Sequence, residues 1–160
     1  MHKPYHSDIP TDIRKKSRTG TRIVIDTNVV VSGLRSTAGA SYLLLSLLEE
    51  AAWTVCLSAT MVFEYEEQLR KDQATSLLTD AAVDDFLDIF CFRAEHVRLF
   101  YRWRPMLRDP DDDIVLETAV NGECTRIITY NTRDFRGAER FGMRVCTPKE
   151  FLLEQNIIHL

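Results

Sequence analysis

The chain has 160 residues and a formal net charge of −4, with 45% hydrophobic and 28% charged residues, the proportions of one globular domain rather than of a disordered or fibrous chain. Its 24 acids against 20 lysines and arginines argue against indiscriminate nucleic-acid binding, which needs clustered cations. No apolar run approaches the roughly 20 residues that span a bilayer, and the first residues lack the apolar core of a secretion signal, so no membrane association and a cytoplasmic location are expected.

Residues 1–21 carry Pro4, Pro10 and the cations Lys3, Arg14, Lys15, Lys16 and Arg18 with little hydrophobic pattern. They are expected to form a basic, mobile tail outside a core domain of residues 22–154, with 155–160 as a short C-terminal tail. The core opens at "RIVIDTN", a β-branched run ending in polar residues and therefore a buried central strand. After Gly33 and Gly39, "ASYLLLSLLEEA" reads as a helix and "WTVCLS" as a second strand. Ser58 is placed to cap the helix "ATMVFEYEEQLRK", and another helix covers about Asp80 to Phe92.

The stretch "RLFYRWRP" interleaves Arg98, Arg102 and Arg104 with aromatic residues. Such a mixture can grip a single-stranded backbone and stack on bases, although it also occurs where helices pack. Asp112 to about Gly122 reads as a helix, "TRIITY" as a third buried strand, and "MRVCTPKEFLL" as a fourth strand followed by a closing helix that admits Pro148 in its first turn. Helices alternating with short buried strands indicate a single three-layer α/β/α domain around a mainly parallel, twisted sheet of four to five strands. Ligand sites in such sheets lie beyond the carboxyl ends of the strands.

Cys56, Cys91, Cys124 and Cys146 form no C-x-x-C pair, and His2, His6, His96 and His159 sit mostly near the ends; neither set suggests a zinc site or a nucleophile–base pair. Acids are more informative. Asp26 ends the first strand, either as a site residue or as a turn former in "DTN". In "RDPDDDIVLETA", Asp112 shares the i, i+3, i+4, i+7 face of Val115, Leu116 and Ala119 and so points inward. Asp111 and Asp113 are expected to serve the helix N-terminus, and Asp109, before Pro110, to be extended. Glu64 and Glu66 flank the apolar face of Met61, Val62, Tyr65 and Leu69, while Glu67 lies opposite. An inward carboxylate needs a partner, and an oxygen-only set of acids suits Mg²⁺ or Mn²⁺.

These residues resemble the PIN domain family, and within it the stand-alone VapC-like toxins of toxin–antitoxin pairs. "RIVIDTNVVVSGL" is similar to the family's opening strand, with Asp26 as the first metal-site acid and Asn28 as its polar companion. "LSATMVFEYEEQL" is similar to the second block, in which a Ser precedes the acid by six positions and selects Glu64. "RDPDDDIVLETAVNGECTRIITYNTRDF" resembles the third and fourth blocks together, with Asp112 in the third acidic position and Asp113 as the register alternative. Where many relatives carry a fourth acid after the Thr that ends the strand, this chain has Asn131, with Asp134 three residues on.

The resemblance implies a metal-dependent endoribonuclease in which Asp26, Glu64 and Asp112, with Asp134 as a further ligand, hold Mg²⁺ or Mn²⁺. Thr129 is expected to hydrogen-bond the acids or a water, and Asn131 to orient a water or offer a carbonyl to metal. RNA, a cognate antitoxin and a second copy of the chain are the implied partners. The alternatives are a catalytically silent PIN module that binds RNA or a protein, and a phosphatase or receiver-type domain using Asp26 as phosphate acceptor. That last class wants further acids around Asp26, where this chain has Ile25 and Asn28.

Overall fold

The computed structural model describes residues 20–50, 52–73, 77–100 and 107–160. Residues 1–19 of the expected 1–21 tail, and Arg102 and Arg104 in the aromatic–arginine stretch, lie outside the described residues. The elements in chain order are β1 (Arg22–Ile25), α1 (Thr27–Arg35), α2 (Ala40–Ser46), β2 (Thr54–Leu57), α3 (Ala59–Asp72), α4 (Asp80–Arg93), β3 (Glu95–His96), α5 (Pro110–Asn121), β4 (Arg126–Ile128), two 3₁₀ turns (Thr132–Phe135 and Ala138–Phe141), β5 (Arg144–Cys146) and α6 (Pro148–Glu154).

The sheet is parallel throughout, five strands in the order β3-β2-β1-β4-β5, and helices flank it. Strands β1, β2 and β4 bury nearly every side chain, which explains why they read as unbroken apolar runs rather than alternating ones. Polar residues at the helix starts set where each begins. Ser58 Oγ accepts from Met61 N, Thr79 Oγ1 accepts from Ala82 N, and Thr147 with Glu150 forms a reciprocal capping box. Among the described residues no helix is long and apolar enough to cross a membrane.

Two elements depart from the sequence reading. Residues 27–35, given no element of their own by the sequence pattern and grouped with the opening strand in "RIVIDTNVVVSGL", form α1, whose Val29 and Val30 are fully buried. Three consecutive β-branched valines carry little helix propensity, so tertiary burial sets this helix. Gly33 lets it approach α2: a Cβ there would lie 3.1 Å from Ser41 O and 2.5 Å from Leu45 Cδ1. The other departure is β3, two exposed residues paired with β2, too short and too polar to announce a strand.

Strand order decides where a site can form. From β1 the chain works outward through β2 to β3, then returns through α5 to β4 on the other side of β1. The strand order therefore reverses between β1 and β4, and the crevice beyond their carboxyl ends is the switch point at which such sheets bind ligands. Asp26 follows β1 directly and Thr129 follows β4 directly. The parallel ladder runs on through both, with Asp26 N donating to Ile128 O and Thr129 N to Cys146 O, each at 2.9 Å.

Candidate metal centre

Asp26 turns the chain from β1 into α1. Its backbone is extended (φ −67°, ψ 150°) and its carboxylate caps the helix, with Oδ1 accepting from Thr27 N at 2.8 Å. Oδ2 accepts from Thr129 Oγ1 at 2.7 Å. Thr129 Oγ1 in turn accepts from Asn131 N at 3.1 Å and from Asn28 Nδ2 at 3.4 Å, while Asn28 Oδ1 accepts from Tyr130 N at 3.3 Å. The buried acid is thus oriented by a network that ties the end of β1 to the end of β4. Burial pushes the Asp26 carboxyl above its ordinary value, the Thr129 and Thr27 hydrogen bonds oppose that, and the charges of Asp109 and Asp134 add to it.

Glu64 approaches from α3. Its neighbour Tyr65 is fully buried and donates its hydroxyl to Ile25 O, which pins this turn of α3 against the end of β1. The other two acids of "EYEE" have cations one turn on: Arg70 for Glu66 and Lys71 for Glu67. Glu64 has Gln68 there. Its Oε2 is buried with no hydrogen-bond partner, and so is Thr27 Oγ1; the threonine hydroxyl is near enough to favour the ionised glutamate slightly without completing a bond. Burial, followed by the charges of Asp111 and Asp26 and then of Asp112, pushes the Glu64 carboxyl up to about 7.

The third acid comes from α5. This helix begins at Asp109, extended as expected before Pro110, whose Oδ1 accepts from Asp111 N at 3.0 Å. The cap is therefore Asp109, and Asp111 is exposed. Every residue from Asp112 to Ala119 is buried, because α5 packs against β1, β2, β4 and α3. A helix enclosed on nearly all sides has no single inward face, and Asp113 is buried as well as Asp112. The two carboxylates differ in their surroundings: Asp113 Oδ1 accepts from Leu107 N at 2.7 Å, whereas Asp112 is pushed up to about 7, first by burial and then by the charges of Asp26, Asp109, Asp134 and Asp111.

Around these three stand Asp109, Asp111 and Asp134, all exposed, and Asn131, also exposed. Asp134 lies in the first 3₁₀ turn, near enough for its charge to bear on both Asp26 and Asp112. Among the described residues no three acids, histidines or cysteines close on one point tightly enough to hold an ion in the conformations seen. The acids sense one another's charge without meeting, the arrangement expected of like charges. Arg98 is exposed, with no side-chain partner among the described residues.

A small, hard cation fits this donor set. Glu64 offers a buried oxygen without a donor, Asp26 is held in a fixed orientation, and the available ligands are oxygens, the preference of Mg²⁺ and Mn²⁺. Fold and site together define a parallel α/β domain with an acidic crevice at its switch point. Residues 22–133 match the PIN_3 family of PIN domains, and the chain belongs to the PIN domain family. Among solved structures, it is similar to a chain of VapBC2 from Rickettsia felis, crystallised bound to a DNA fragment from their promoter, at 15% identity and a TM-score of 0.52, over 78% of this chain and 97% of that one. No curated protein matches the sequence.

Proposed function

We propose that the protein is a metal-dependent endoribonuclease that acts in the cytoplasm as the toxin of a VapBC-type pair, with Asp26, Glu64 and Asp112 as its metal-holding catalytic acids. The observation that carries this reading is the buried Oε2 of Glu64, left without a donor beside two other raised carboxyls at the switch point. A protein does not keep such a group in its interior without something to offset it. PIN domain membership supports this reaction class.

Asp26, Glu64 and Asp112 would hold a divalent ion, which would supply Lewis acidity toward a phosphate oxygen and lower the pKa of water. The chain's own residues orient and hold protons. Thr129 fixes Asp26 Oδ2, and Asn28 with Asn131 N fixes Thr129 Oγ1. Glu64 and Asp112, both raised to about 7, are partly protonated near neutrality. Asp134 adds charge at the rim, while Asn131 adds polarity without charge. Arg98, Arg102 and Arg104 are candidate RNA contacts, and a homodimer and an antitoxin are the proposed protein partners.

The test is hydrolysis of single-stranded RNA by the purified protein with Mg²⁺ or Mn²⁺. Activity is expected to stop on chelation and to be lost in Asp26→Asn with the fold intact. Binding of RNA without cleavage at any metal concentration would favour the silent binding module. Co-purification with the product of an adjacent gene, and sedimentation of each species, test the antitoxin and the dimer.

A further inference from the structure

A cavity of about 500 Å³ lies beside the acidic crevice, lined by Leu107, Arg108, Arg133, Asp134 and Arg136. We infer that it is a phosphate-binding site for the RNA strand, taking a phosphodiester next to the one that is cleaved. This rests on the nuclease reading for the identity of the strand, and on separate residues for its evidence.

Three arginines from two distant segments, one leading into α5 and the other around the first 3₁₀ turn, line one cavity. All three are exposed, and none has an ion pair or side-chain hydrogen bond among the described residues. Most other described arginines are engaged, Arg98 being an exception: Arg22 pairs with Glu95, Arg35 with Asp72, Arg70 with Glu66, Asp80 and Asp84, and Arg126 with Glu154. In a chain with more acids than bases, three unpaired arginines around one cavity are not leftovers of surface pairing. Their mutual repulsion is relieved by an anion, and the guanidinium fork matches the oxygens of a phosphate.

Asp134 locates the cavity relative to the chemistry. It lines the cavity, and its charge also reaches Asp26 and Asp112. A strand whose scissile phosphate enters the acidic crevice therefore has a neighbouring phosphate within reach of the arginines. The acids repel a polyanion when no cation is bound, and the arginines give the strand a point of attachment that does not depend on the ion.

The experiment measures binding of a single-stranded RNA decamer against salt in Asp26→Asn, which blocks cleavage, with and without R108Q, R133Q and R136Q together. Each lost phosphate contact removes about 0.7 from the slope of log K against log salt, so the triple change should lower the slope by about 2 and the affinity at least about tenfold. In the cleaving protein the same triple change should raise KM for the decamer, and leave KM unchanged for a dinucleotide whose only phosphate is the scissile one. An unchanged slope in a folded triple variant overturns the site, as does an equal KM rise for both substrates; R136Q alone serves if the triple variant does not fold. A wild type that cleaves while the slope stays unchanged leaves the nuclease standing without this site. An arginine-dependent slope in a wild type that never cleaves leaves the site standing without the nuclease.

Discussion

Two acids on helix α3, one buried and one half-buried, stand in opposite situations. Asp72, at the C-terminal end, is 8% exposed and is held by the guanidinium of Arg35 from α1. Glu64, two turns earlier, buries one oxygen with no donor and faces other acids rather than a cation. The first carboxylate is answered within the chain and joins two helices. The second is not, and its charged form weakens the ion-free fold. A buried charge that the chain itself neutralises is architecture, whereas one left for something else to neutralise marks a site.

The sharpest way to break this comparison is to neutralise one acid in each region. Asp26→Asn should cut RNA cleavage at least about 100-fold, since even residues that only support metal ligands typically cost 10–100-fold, while thermal unfolding of the ion-free protein barely moves. Asp72→Asn should do the reverse, costing about 1–2 kcal/mol because Arg35 remains partly solvated, with cleavage at permissive temperature unchanged. Initial rates and melting curves on both variants decide it. Loss of activity in Asp72→Asn without loss of stability would show that the two regions are not separate.

Acidity and metal come next in size. Glu64 and Asp112 are raised to about 7 from ordinary values near 4, so between those values the folded state binds more protons than the unfolded state. Stability of the ion-free protein from these groups is therefore greatest below about 4 and falls as pH rises through about 7. Melting temperature is expected to drop by a few degrees between pH 5 and pH 8 in chelator. Millimolar Mg²⁺ or Mn²⁺ should recover it at pH 8 and have little effect at pH 5, where protons compete. Glu64→Gln should flatten the chelator profile; a profile as steep as wild type would remove Glu64 from the cluster.

Smaller effects test the rim. Asn131→Asp should strengthen ion binding and raise cleavage several-fold at limiting metal, with little change at saturation; no change at any concentration would indicate that Asp134 already supplies the needed charge. Asp111→Asn should alter the rate by less than about threefold, because Asp111 is exposed and acts on Glu64 only through solvent-screened charge. A large loss there, in a folded variant, would move Asp111 from the rim to the centre.

Much of this arrangement is written in local sequence. Strands β1, β2, β4 and β5 announce themselves as short apolar runs, α3 by its capping Ser58, α6 by Pro148 in its first turn, and Asp26 by its place at the end of a buried strand. A usable signal also singles out Glu64: Glu66 and Glu67 each have a basic residue four positions on, and Glu64 has glutamine. Periodicity selects Asp112 over Asp113 by assuming one buried face, whereas α5 is enclosed on almost every side and both are buried. Only the tertiary structure separates them, by giving Asp113 the backbone N–H of Leu107. It also makes a helix of the valines after Asp26, because burial outweighs their weak propensity, and adds β3, whose two exposed residues belong to the sheet only through β2. The cavity of Arg108, Arg133 and Arg136 lies beyond local reading altogether. Its members are separated by the whole of α5 and β4, and only the return of the chain across β1 brings their charges to one place.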